Sequence, residues 1–149
     1  MKNEEGQSLF EVVLALGVIT AILVGVGSLS VNAIRNASFS KSKTLSGRFA
    51  QEATEWLRRQ RDTDFSLFKT HALAANWCLT GLDWSKNRIC GQSDSDKIPN
   101  TFLFRQAAFS IDSVSGKTVI RAIVKVYRND AQGHHEVRSA TSFSDWREK

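Results

Sequence analysis

Val12–Val31 reads VVLALGVITAILVGVGSLSV, twenty residues without a charge. At 1.5 Å per helical residue such a run covers roughly 30 Å, the thickness of a bilayer's hydrocarbon core. A helix buried in a soluble core rarely stays apolar on every face over that length. The stretch therefore predicts a transmembrane helix near the N-terminus. It is preceded by Leu9, Phe10 and Glu11, and a carboxylate at the edge of an apolar span is costly to bury in lipid without a partner.

Beyond Val31 the helical signal continues. Leu45, Phe49, Ala53, Trp56 and Leu57 form a one-sided apolar stripe. Lys41, Lys43, Arg48, Gln51, Glu52, Glu55, Arg58 and Arg59 fall on other faces, and no proline occurs before Pro99. One helix from about Leu9 to about Arg61 follows, with Gly47 and Asn36–Ser40 as the places where it could break. Asp62–Asn100 reads as a loop-like region with short apolar pieces. From Thr101 the period shortens: Thr101–Ile111, Lys117–Arg128 and His135–Phe143 read as strands, joined by turns at Ser113–Gly116 and Asn129–Gly133. Short connections imply an antiparallel meander, which needs cover on one face. The expected fold is α+β: a long N-terminal helix, transmembrane in its first half and amphipathic in its second, packed through residues 45–57 on a small antiparallel sheet of three or more strands.

After Val31 the chain carries nineteen Lys and Arg against twelve Asp and Glu, but they are dispersed, and Arg58–Arg61 is followed at once by Asp62 and Asp64. That pattern fits a solvated charged surface; weak, salt-dependent attraction to DNA or another anionic polymer stays open. Cys78 and Cys90 lie twelve positions apart and suit a disulfide in an oxidising compartment. Closing that loop stabilises by on the order of 3 kcal/mol in the chain-entropy model. A metal site would need more ligands, and only His71 is near in sequence.

The segment Gly6-Gln7-Ser8-Leu9-Phe10-Glu11, followed by the apolar run, resembles the N-terminal processing signature of type IV prepilins and of the pseudopilins of type II secretion. The resemblance covers about the first 60 residues. It implies a leader of residues 1–6, cut between Gly6 and Gln7 by a prepilin peptidase that also methylates the new N-terminus at Gln7. Glu11 matches the glutamate fifth in the mature chain, which pairs in that family with the free N-terminus of a neighbouring subunit. Helices of successive subunits then leave the lipid and bundle in a filament core, with an assembly platform protein and a cytoplasmic ATPase as partners. The sequence departs from the family in three respects: the mature chain would begin with Gln7, the leader sets Lys2 against Glu4 and Glu5, and the stalk proline of major pilins is absent. Gly25 and Gly27 then mark the turn where the stalk loosens on entering a filament. Arg35, Lys41, Lys43 and Arg48 follow the span, so the positive-inside rule alone would keep the head in the cytoplasm. The cleavage signature and the cysteine pair point outward instead.

The remaining chemistry-bearing residues read blandly. His134-His135-Glu136 sits beside a glycine turn, and Asp94-Ser95-Asp96 lacks the glycine and glutamate of a calcium loop. Trp77 and Trp84 are expected to pack the disulfide loop against the head. With no G-x-S-x-G, HExxH or P-loop pattern, neither an enzyme nor a cofactor or metal is expected. The expectation is a structural subunit, major or minor pilin, of a type IV pilus-like surface filament. It comprises the leader 1–6, a transmembrane and assembly helix 7–31, an amphipathic continuation 32–61 and an extracytoplasmic head 62–149. Such a chain passes once through the inner or cytoplasmic membrane before assembly. The alternatives are a pseudopilin of a type II secretion-like system, a membrane-anchored module binding DNA or polysaccharide, and a plain signal anchor in which Glu11 reaches the headgroups.

Overall fold

The computed structural model describes residues 5–91, 93–114, 116–131, 133–145 and 147, with side chains from Leu9 onward. Residues 1–4 of the expected leader lie outside the described residues. The chain divides into two compact units, Met1–Ser42 and Lys43–Lys149. Helix α1 spans Glu5–Thr63 and passes from one unit into the other. It continues through Asn36–Ser40 and Gly47 without a break, so the weak points read from the sequence do not interrupt it.

In the second unit, α1 is followed by α2 (Phe65–Leu73), β1 (Asn76–Cys78), a 3₁₀ turn at Asp94–Asp96, and the strands β2 (Phe104–Val114), β3 (Lys117–Asp130) and β4 (Gly133–Ser144). The sheet is wholly antiparallel, in the order β1-β2-β3-β4. The fold is thus α+β, a long N-terminal helix whose C-terminal part lies on a four-stranded antiparallel sheet. Two elements correct the loop-like reading of Asp62–Asn100. Asp64 caps α2, its carboxylate accepting from the Leu67 N–H at 2.9 Å, and Phe68 and Ala72 face the core. β1 pairs three residues with Gln106–Ala108 of β2. The turns lie where they were expected, and the left-handed glycines Gly116 (φ +79°) and Gly133 (φ +121°) supply them.

Alternation decides the sheet's faces. Ala107, Ile120, Ala122, Val124, Val126 and Phe143 are buried toward α1, while Arg121, Lys125 and Arg138 stand on other strand positions with outward parity. On α1 the buried positions are Ser46, Ala50, Ala53, Thr54 and Leu57. The expected stripe is therefore displaced: Ala53 and Leu57 belong to the contact, Phe49 and Trp56 flank it, and Leu45 is 40% exposed. Across this contact Thr54 Oγ1 meets Ser139 Oγ of β4 at 3.0 Å. Beside them Phe68 fills the layer, edge-on to Phe143 at 5.3 Å and to Phe109 at 6.0 Å. Burying a side chain of this size stabilises by about 1.5–3 kcal/mol.

Candidate functional site

The first unit is helical throughout its described residues. Every side chain from Leu9 to Lys41 is exposed, including Leu9 at 72% and Val24 at 73%. The helix is long and apolar enough to cross a membrane. A surface of this kind is unfavourable in water and calls for lipid or for other helices. The polar residues of the run fit that demand. Thr20 Oγ1 donates to the Leu16 and Gly17 carbonyls at 3.0 and 2.9 Å, Ser28 Oγ to Gly25 at 2.8 Å and Ser30 Oγ to Val26 at 3.0 Å. Hydroxyls bonded back to the preceding turn carry no unsatisfied group into an apolar medium.

Those bonds also bear on Gly25 and Gly27. The helix is intact there, and nothing lies within 4 Å of where either residue's Cβ would be. Ser28 and Ser30 draw on carbonyls of the same turn, and such back-bonding weakens and often bends a helix. The sequence reading missed this contribution, although Ser28 and Ser30 stand next to the glycines. It also passed over the four-residue spacing of Gly17, Ala21 and Gly25, small residues that let two helices approach closely. Gly6 and Gln7 are in the first turns of α1. Glu11 is exposed, and among the described residues no cation is within ion-pair reach of it.

The head carries its own polar constellation, built on the disulfide. Cys78 and Cys90 are bonded, with Cα atoms 4.9 Å apart. The bridge pins the loop that follows β1 against the sheet. Inside that loop Asp96 is fully buried, receiving Arg88 at 2.6 Å and Lys86 at 3.3 Å. Two cations on one buried carboxylate leave it no role as a calcium ligand. Tyr127 donates to the Cys90 carbonyl at 3.0 Å. Burial, then the Asp96 and Glu136 charges, push its phenol above the usual range.

Arg105 ties this loop to α1. It sits in β2 with its side chain only 3% exposed, donating to the Leu79 carbonyl at 2.9 Å and to Glu52 of α1 at 2.7 Å. Burial lowers its proton affinity and the Glu52 hydrogen bond and charge oppose that shift. Glu52 is thus a structural partner, which its place on the polar side of α1 did not reveal.

Trp77 and Trp84 pack the loop as expected. Trp84 stacks on His71 at 4.5 Å and meets Trp56 at 4.7 Å and Trp77 at 5.0 Å, while the Trp77 indole donates to the His71 carbonyl. At the start of β4, His134 approaches Asn129 and Glu136, and His135 approaches Asp130, all at the β3–β4 turn. Among the described residues no group of three His, Cys, Asp or Glu side chains could hold a metal ion. Comparison of the chain with protein-family models, with curated proteins and with solved structures gave no match.

Proposed function

We propose that this chain is a filament subunit of the type IV pilin kind, anchored in the membrane by the first half of α1 until assembly and carrying an extracytoplasmic head. The observation that carries the reading is the state of residues 9–41: a helix with every side chain exposed, apolar over its span, on a chain that folds a separate packed head. Such a helix needs an apolar partner along its length, and both lipid and a bundle of like helices supply one. The disulfide supports a head on the oxidising side of the membrane.

In this mechanism, cleavage after Gly6 frees an amino group at Gln7, one helical turn from Glu11. A carboxylate leaving the headgroups for an apolar bundle requires a cation, and the resemblance to prepilins supplies one in the neighbour's N-terminus. The pair sets the axial register of each incoming subunit. Removing one member of a buried pair costs about 3–5 kcal/mol at every joint. Glu11→Ala is therefore expected to leave leader cleavage, membrane level and head folding intact and to abolish filaments in the sheared cell-surface fraction. Equal filament yield from wild type and Glu11→Ala would remove the mechanism. An uncleaved protein beginning at Met1 in peptidase-positive cells would remove the family reading itself.

A further inference from the structure

β4 is an edge of the sheet. An exposed edge offers a row of unpaired N–H and C=O groups, and proteins blunt it with a proline, a bulge, a very short strand or charged side chains. β4 carries charges at Glu136 and Arg138 but none of the other three. It runs for twelve residues, contains no proline, and pairs one-to-one with β3 from Asp130↔Gly133 to Val119↔Ser144. Among the described residues, no backbone hydrogen bond outside the ladder involves residues 136–144, and the Arg61 side chain reaches the carbonyl of Ser144 at 3.5 Å.

Two features of the edge favour the addition of a further strand. Arg138 stands directly across from Lys125 of β3, and like charges opposed across strands are destabilising. Its carboxylate contact is Glu136, two residues along the same strand. On the other face Val137 pairs with the fully buried Val126 yet stays partly exposed, at the margin of the core.

We propose that β4 is a self-pairing surface, on which a second copy of this chain adds its own β4 antiparallel, centred on Val137. In that register Val137 meets Val137, Glu136 of each copy faces Arg138 of the other, and His135 faces Ser139. Every Arg138 gains a carboxylate directly opposite, and the two valines cover each other. The neighbouring centres are worse: on Glu136 or on Arg138 the strand sets a charge against its own copy. Main-chain hydrogen bonds supply the affinity and the charged pairs fix the register. The joint is isologous and closes at two copies, unlike the repeating head-to-tail contacts of a filament, so it stands or falls apart from the proposed function.

The test uses the full-length chain in detergent micelles. Val137→Cys is expected to give a reducible covalent dimer on mild oxidation, and Ser110→Cys, on an exposed position of β2, is not. Glu136→Arg or Arg138→Glu, each combined with Val137→Cys, should lower the dimer yield about tenfold, because two attractive pairs become repulsive. Mixing those two variants should restore it as a heterodimer, since one copy then presents two arginines and the other two glutamates. Retention of the Cys78–Cys90 bond and of the melting temperature checks that each variant folds. Equal cross-linking at residues 110 and 137 would overturn the proposal, as would failure of the mixture to recover. Val137→Cys leaves the charges untouched and keeps the test decisive should a charge variant misfold.

Discussion

Between Leu9 and Lys41 every side chain of α1 is exposed, whereas between Ser46 and Leu57 the same helix buries Ser46, Ala50, Ala53, Thr54 and Leu57. The first stretch holds the larger and more apolar residues, yet the second forms the contact. Burial is decided by what a segment meets, and apolar content states only what it would gain from a neighbour. In the head that neighbour is the sheet. In the first unit the apolar surface from Leu9 to Lys41 stays exposed.

Truncating one large side chain in each region gives the sharpest contrast. Phe68→Ala is expected to destabilise the head by about 3–5 kcal/mol, read as a fall in its melting temperature. Leu23→Ala should leave that transition unchanged, since Leu23 is 64% exposed. A matching fall for both would show that the two units unfold as one. Next comes the disulfide. Replacing Cys78 and Cys90 together by Ser should cost the head about 3 kcal/mol in denaturant titration while membrane retention persists. The joint between α1 and the head is tested by Glu52→Gln, which leaves buried Arg105 without its carboxylate. A loss of about 2 kcal/mol is expected, small because Glu52 is half-exposed. An unchanged melting temperature would mean that the carbonyls of Phe49, Leu79 and Thr80 hold Arg105 without the carboxylate.

The smallest effect lies in the pH dependence of the head. Burial alone pushes the Glu136 carboxyl up, but hydrogen bonds from Arg138 and His134, with the charges of Arg138 and Lys125, hold it below its ordinary value. A depressed folded value means that its contribution is present above the unfolded value of about 4.3 and is lost as the pH falls through the folded one. Glu136→Gln should therefore flatten the acid limb of a melting-temperature profile below about pH 4.3 and not its neutral region. An identical acid limb would place the head's acid sensitivity on other carboxylates.

The long helix and the three long strands were legible because each repeats its period over many residues. α2 was passed over as nine residues in a stretch dominated by tryptophans and cysteines, although Asp64 before Phe65, Phe68 and Ala72 is a cap followed by helical spacing. β1 has three residues, too few to show a period. The contact face of α1 was displaced because Ser46, Ala50 and Thr54 do not register as an apolar stripe, while Leu45 does. Arg105 and Asp96 were unreadable for a different reason: their partners lie 53 and eight residues away, at Glu52 and Arg88, and only folding brings charges so spaced together. The cysteine pair was read correctly from spacing and location.

The indole cluster has a spectroscopic consequence. Trp56 belongs to α1, Trp77 to β1 and Trp84 to the disulfide loop, and Trp84 lies 4.7 and 5.0 Å from the other two. Chromophores this close and mutually tilted couple their transitions. The folded head should thus carry an exciton couplet in its circular dichroism that appears only when helix, strand and loop are docked together. No tryptophan lies in residues 1–55, so the signal belongs to the head whatever surrounds the rest of the chain.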